Sequence, residues 1–161
     1  MNSLPEPDTV FDSQLGRIGL WFSGDVLIRI AYLQGHESVA AGSEIARRAQ
    51  ASIEGFVAGQ GQSIDIAWRL EGTAFQKKVL AELLDIPYGE VRTYGEIAAR
   101  LKTSARAVGN ACRRNPLPLV IPCHRVVAAV GIGGYDGAQA GSRLEIKRRL
   151  LENEGVVFQA S

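Results

Sequence analysis

The chain's architecture turns on residues 93–114, Thr93-Tyr94-Gly95-Glu96-Ile97-Ala98-Ala99-Arg100-Leu101-Lys102-Thr103-Ser104-Ala105-Arg106-Ala107-Val108-Gly109-Asn110-Ala111-Cys112-Arg113-Arg114. Thr93 and Glu96 stand three apart, the spacing of a capping box, and open a short helix to about Leu101. Lys102-Thr103 is a tight connection. Ser104 then caps a second helix to about Arg114, which carries Arg106, Arg113 and Arg114. Asn115-Pro116-Leu117-Pro118 ends it, because proline cannot continue a helix. Two short helices so briefly joined predict a helix-turn-helix with the second as its reading helix, although an αα-corner has the same pattern.

On the N-terminal side, Thr73-x-x-Gln76 is another capping box. Phe75, Val79, Leu80, Leu83 and Leu84 follow at helical spacing, and Ile86-Pro87-Tyr88-Gly89 is a turn. On the C-terminal side, the apolar run Leu119-Val120-Ile121 leads into Pro122-Cys123-His124-Arg125-Val126-Val127. Residues 131–142 are glycine-rich and read as a loop. A last helix is expected over about 143–153, with Ile146, Leu150 and Leu151 inward and Gly155 as its cap.

Before Gly72 the pattern changes. Ile18, Leu20 and Phe22 alternate, Ser23-Gly24-Asp25 supplies a turn, and Val26 to Leu33 is strand-like, so 17–33 reads as a hairpin. Ile45, Ala49, Ile53 and Phe56/Val57 form one stripe of a helix over 44–58. Ile64, Ile66 and Trp68 predict a strand at 63–69. The expected fold class is α/β (α+β), with a structural N-terminal domain at 1–72 and the chemistry in 73–161.

The chain has 161 residues, 46% hydrophobic and 22% charged, a globular composition that needs no disulfide framework. Cys112, His36 and His124 leave too few ligands for a Cys/His structural zinc site, and no metal or cofactor is expected. No apolar run approaches the roughly 20 residues of a membrane span. Met1 to Thr9 carries acids and prolines where a signal peptide has a basic start, so a cytoplasmic protein is expected. The formal net charge of +1 argues superficially against a polyanionic partner. Its distribution argues otherwise: five basic residues face nine acidic ones before Gly72, and thirteen face eight after it, giving −4 and +5. From Ile97 to Tyr135 no acid occurs, while Arg100, Lys102, Arg106, Arg113, Arg114 and Arg125 do. That stretch is either a solvated basic face or a polyanion surface.

Cys123 lies in this basic stretch, between Pro122 and His124. Positive neighbours and an adjacent base promote loss of the thiol proton and make a nucleophile. The competing reading is a buried cysteine acting as a small hydrophobe. Cys112, beside Val108 and Ala111 on its helix, has only that second reading.

Ile121-Pro122-Cys123-His124-Arg125-Val126-Val127 resembles the active-site signature of the O6-alkylguanine-DNA alkyltransferases, or methylated-DNA–protein-cysteine methyltransferases. Thr93-Tyr94, Ala105-Arg106-Ala107-Val108-Gly109, Arg114-Asn115-Pro116, Gly134-Tyr135 and Glu154-Gly155 occur in the family's order and near its spacing. The likeness covers about 73–157 well, and the first 72 residues only in general character. It implies a small ribonuclease H-like N-terminal domain and a mainly helical, winged helix-turn-helix-like C-terminal domain.

The resemblance also implies a reaction, irreversible transfer of an alkyl group from guanine O6 in double-stranded DNA to Cys123. His124 would be the base acting through a water, and Glu154 would hold that histidine. In an extended segment adjacent side chains point apart, which suits a bridging water. Tyr94 would protonate the departing guanine at N3 and crowd the 3′ phosphate. Asn115 would fix the turn between reading helix and active-site segment. The carbonyls of Cys123 and Val126, the backbone N–H of Asp136, and Tyr135 would form the base pocket. Arg106 would fill the space left by the flipped base, with Thr93, Ser104, Ala107 and Arg113 as further DNA contacts. The family reads the minor groove, whereas the helix pattern alone suggests the major one. A monomer is expected, and acceptance of O4-alkylthymine is left open.

The chain departs from the family at 136–142, a few residues longer than in many members, with Asp136 where a small neutral residue is common. Lys147, Arg148 and Arg149 either offset that charge or form a plain basic helix face. Two other functions fit part of the pattern. A non-repairing binder of alkylated DNA would lack the acceptor cysteine, which Cys123 supplies. A cysteine hydrolase using Cys123, His124 and Glu154 leaves the basic tract and Arg106 without a role.

Overall fold

The computed structural model describes residues 4–133 and 142–156. The chain forms two compact units, Met1–Leu70 and Glu71–Ser161. The class is mixed α/β, as the sequence predicts.

The first unit is an antiparallel sheet of β1 (Thr9–Ser13), β2 (Gly16–Ser23) and β3 (Val26–Leu33), with β2 in the middle. Thr9 pairs with Leu20 and Arg17 with Leu33. Ile18, Leu20, Leu27 and Ile30 are buried, as are Ala46, Ala49, Ile53 and Phe56 of α1 (Glu44–Val57). Ser43 caps α1 by accepting from the Ala46 N–H. The hairpin and helix match expectation, and β1 adds a strand that the periodicity missed. The strand expected at 63–69 is a single parallel bridge from Trp68 to Leu27. Its alternation is real, since residues 64, 66 and 68 are half-buried between exposed neighbours. The Leu27 N–H to Ala67 carbonyl and Arg69 N–H to Leu27 carbonyl bonds tie it to β3.

The second unit is built from α2 (Ala74–Leu83), β4 (Arg92–Thr93), α3 (Tyr94–Leu101), α4 (Ala105–Arg113), a 3₁₀ turn at Cys123–Arg125, β5 (Val126–Val127) and α5 (Ser142–Asn153). Val79, Leu80 and Leu83 of α2 are buried with Ile97 of α3, Val108 of α4, and Leu150 and Leu151 of α5. Phe75 and Leu84, apolar residues of the same helical spacing, are 41% and 43% exposed. Thr73 caps α2 as expected, but the Gln76 side-chain amide donates to the Arg114 carbonyl at the end of α4 (2.7 Å). The box at Thr93 and Glu96 is complete in both directions. Lys102, in the left-handed region at φ 56°, ends α3, and Ser104 accepts from the Ala107 N–H to begin α4. The expected helix-turn-helix follows from these local signals.

α5 ends in a Schellman motif. The Val156 N–H returns to the Leu151 carbonyl (2.8 Å) and the Gly155 N–H to Glu152 (2.9 Å). Gly155 takes φ 84°, which a side chain would resist. This stop sets Glu154 at the helix end. Among the described residues no helix is long and apolar enough to cross a membrane.

Candidate active site

Cys123 is presented by a segment that α4 hands over through Asn115. That side chain is buried, accepts from the Leu117 N–H (2.9 Å) and donates to the Ile121 carbonyl (3.0 Å). Between them Leu119 is buried at φ 77°, a left-handed conformation costly for a leucine. The side-chain bonds of Asn115 bridge this kink and fix where Ile121 enters the site.

Cys123, His124 and Arg125 form one 3₁₀ turn, not the extended segment expected. The Arg125 N–H reaches the Pro122 carbonyl (3.0 Å) and the Val126 N–H the Cys123 carbonyl. β5 follows at once and pairs in parallel with β4, Arg92 opposite Val126 and Thr93 opposite Val127. This short pairing carries Tyr94, the first residue of α3, to the cysteine turn.

His124 is fully buried, and its Nε2 lies 2.7 Å from Glu154 Oε2. Glu154 also takes Arg125 on both oxygens, Nε at 2.8 Å and Nη2 at 3.1 Å, and the Gly89 N–H at 2.9 Å. Arg125 Nη1 donates to the Ile86 carbonyl (2.8 Å), and its guanidinium stands 5.6 Å from the Tyr88 ring centroid. The turn at 86–89 is thereby bound to the site. Burial pushes the Glu154 carboxyl up, but hydrogen bonds from His124 and Arg125 outweigh it and hold the group at about 2. Burial pushes His124 down, against the raising pull of Glu154. The pair is a carboxylate beside a neutral imidazole, with Arg125 matching the charge. Burial first, then the two nearby cysteines, drive the Tyr94 phenol far above its ordinary range, so it holds its proton.

The sequence assigned no role to two groups at this centre. Arg125 stands inside the signature, and a cation in an apolar run needs a buried partner. Lys147, expected either to offset the Asp136 charge or to lie on a basic helix face, is fully buried, and its Nζ donates to the Val126 carbonyl (2.6 Å). The signal was available, because Lys147, Leu150, Leu151 and Glu154 share one helical face by spacing. Gly133, at φ 78°, brings its backbone against both partners. A Cβ there would stand 3.2 Å from the Tyr94 ring and 3.6 Å from Lys147 Nζ.

The other candidates lie on α4 and its approach. Arg106 and Arg113 are exposed and seven residues apart on one face, Ala107 is half-buried, and Ser104 is exposed with its hydroxyl engaged as a cap. Thr93 is half-buried, and its hydroxyl caps α3. Val126 is buried; its carbonyl accepts from Lys147, and the Cys123 carbonyl accepts from the Val126 N–H. Tyr135 and Asp136 lie outside the described residues. Cys112 is buried in the core face of α4, as expected. Among the described residues no group of His, Cys, Asp or Glu could hold a metal ion.

Comparison with known proteins identifies this arrangement. The model for the 6-O-methylguanine DNA methyltransferase DNA-binding domain matches residues 74–156. A methylated-DNA–protein-cysteine methyltransferase of Methanosarcina acetivorans is 39% identical, covering 91% of this chain and 96% of its own. One of Archaeoglobus fulgidus is 46% identical, covering 71% and 76%. The crystal structure of Mycobacterium tuberculosis OGT in complex with DNA superimposes with a TM-score of 0.78 at 37% identity, covering 91% and 92%. An O6-methylguanine DNA methyltransferase from Methanococcus jannaschii gives 0.66 at 34%, covering 94% and 96%. With half of its length matched by the family model and relatives aligned over nearly all of it, the chain belongs to the 6-O-methylguanine DNA methyltransferase family.

Proposed function

We propose that the protein repairs DNA by direct reversal, moving the alkyl group from O6-alkylguanine to Cys123 in a single irreversible turnover. The observation that carries this reading is the 2.7 Å contact of His124 with Glu154 on the turn that bears Cys123, reached from α4 through Asn115. Residues 73–161 serve as the DNA-binding and alkyl-acceptor domain and residues 1–72 as a structural domain. The protein acts as a cytoplasmic monomer on double-stranded DNA.

His124, neutral and oriented by Glu154, takes the Cys123 proton through a water. The thiolate attacks the alkyl carbon in line. A sulfur–carbon bond forms as the carbon–O6 bond breaks, and its electron pair passes to the guanine. Tyr94 delivers a proton to N3, leaving neutral guanine. The product thioether has no leaving route, so the protein acts once. Asn115 positions the cysteine segment, and the Cys123 and Val126 carbonyls are assigned to the guanine edge, as are Tyr135 and Asp136, which lie outside the described residues.

The lesion must leave the duplex to reach a buried sulfur. Arg106, exposed on α4, fills the vacated space from the minor-groove side. Thr93, Tyr94, Ser104, Ala107 and Arg113 line the same approach. The test is direct. Duplex DNA carrying O6-methylguanine is mixed with the protein, and intact and peptide masses are recorded. One methyl on Cys123 at 1:1 stoichiometry, lost in Cys123→Ala, is expected. Repeated turnover, or methylation of Cys112, would overturn the mechanism.

A further inference from the structure

Lys147 is the buried charged side chain that the proposed chemistry leaves without work. Its Nζ donates to the Val126 carbonyl at 2.6 Å, and Val126 closes the 3₁₀ turn on the Cys123 carbonyl. The same nitrogen lies 5.8 Å from the Tyr94 ring centroid. The titratable groups facing it are Tyr94 of α3, Cys112 of α4, and Cys123 and His124 of the turn. Glu154 is engaged by His124 and Arg125. Lys147 is thus anchored to the element that presents the nucleophile and stands over the ring of the acid.

We propose that Lys147 is a positioning residue whose ammonium holds the Cys123 sulfur as a thiolate and stabilises the charge left on Tyr94 when that residue gives up its proton. The second role rests on the alkyl-transfer reading above, and the first does not. The charge accounting favours one cation at this place. Negative charge starts on sulfur, passes to guanine as the carbon–O6 bond breaks, and ends on the Tyr94 oxygen once N3 is protonated. Its first and last stations both face Lys147. The thiol proton leaves through His124, the Tyr94 proton goes to guanine, and Lys147 keeps its own. An ammonium in this low-dielectric setting acts more strongly than in water, and a cation over an aromatic face is attracted before the phenol ionises. Burial pushes Lys147 down to about 8, against the raising pull of Cys123 and Cys112, so the charged form prevails at neutral pH.

The experiment uses iodoacetamide, which reports thiolate without DNA. The rate of Cys123 carbamidomethylation, assigned by peptide mass, is followed against pH in wild type, Lys147→Met and Lys147→Arg. Lys147→Met is expected to move the midpoint up by about one pH unit and lower the neutral-pH rate about tenfold. Lys147→Arg, which keeps the charge, is expected to recover most of that loss. In the unmutated protein, ¹³C NMR of the Lys147 Cε across pH gives a second reading, independent of whether any variant folds. Its midpoint is expected to fall when Cys123 is carbamidomethylated, because the facing anion is gone. A wild-type Cys123 profile in folded Lys147→Met, or a Lys147 midpoint unmoved by capping, would overturn the proposal. Neither readout depends on alkyl transfer, which the O6-methylguanine mass assay tests separately.

Discussion

Arg125 closes on Glu154 through two nitrogens, Nε to Oε1 at 2.8 Å and Nη2 to Oε2 at 3.1 Å, with both side chains buried. The carboxylate therefore has its charge matched before His124 bonds to it, and the imidazole stays a neutral base. Glu154→Ala strands the guanidinium in the interior and removes the anchor of the Gly89 turn. Losing one partner of a buried pair costs about 3–5 kcal/mol. Urea unfolding is expected to show a loss of that size alongside loss of repair. A folded Glu154→Ala within about 1 kcal/mol of wild type would show that the pair has little structural weight.

The same cluster sets an acid limit on stability. His124 is held neutral in the fold, so only the unfolded chain takes up its proton below about 6.5. Stability is full above that pH and falls as pH drops through it. Glu154, held at about 2 against an ordinary 4.5, adds a second loss between those values. Each proton contributes a slope of about 1.4 kcal/mol per pH unit. Lys147 acts at the other end. Pushed from 10.5 to about 8, it discharges in the fold first, so stability rises with pH from about 8. Cys112 opposes that rise once the unfolded thiol ionises near 9, because burial drives its folded thiol far higher. Unfolding free energies from pH 4 to 9 are expected to show the acid decline, and folded His124→Gln should lack the inflection near 6.5.

Local signals made the helix-turn-helix legible. A capping box at Thr93 and Glu96, a cap at Ser104 and a proline stop need no tertiary context. Pairings that depend on distant partners were not. β4 and β5 are two residues each, too short for periodicity, and their parallel pairing is set by how α3 and the cysteine turn pack. Segment 63–69 has a strand's alternation but meets β3 at one bridge, so burial pattern and backbone pairing come apart there. Cys123 and His124 were legible as a pair of chemical groups, but not the 3₁₀ turn that carries them. Lys147 was misread because Lys147-Arg148-Arg149 looks like one charged surface run, whereas a helix turns its first member inward.

Asn115 tests whether the cysteine segment is held by geometry. Its amide donates to Ile121 and accepts from Leu117, bridging the left-handed Leu119. Asn115→Ala takes the bond from the buried Leu117 N–H, at about 1–3 kcal/mol, whereas the Ile121 carbonyl loses one donor and keeps the Cys123 N–H (2.8 Å). Asn115→Asp keeps an acceptor for the Leu117 N–H but sets a carboxylate against the Ile121 carbonyl. Both variants are expected to lose stability and to slow Cys123 methylation. In Asn115→Asp, lowering the pH toward protonation of the new carboxyl should restore part of the rate, since a protonated acid donates to Ile121. An identical pH profile in both variants would remove the donor bond from the account.

The exposed face of α4 separates two roles for its arginines. Arg106 and Arg113 stand seven residues apart on one side of the helix. A side chain that only neutralises phosphate lowers affinity uniformly and reduces the slope of log K against log salt by about one when removed. Arg113→Ala is expected to do that and to leave the methylation rate of saturated protein near wild type. Arg106→Ala is expected to slow repair within the bound duplex, because the space beside the extruded base is no longer filled and the base returns to its stack. The cost should vanish when free O6-methylguanine is the substrate, where nothing has to be flipped. Single-turnover rates on duplex and free base, with binding measured in a Cys123→Ala background, resolve the two. Equal slowing of both substrates by Arg106→Ala would assign that arginine to folding or chemistry and remove it from base extrusion.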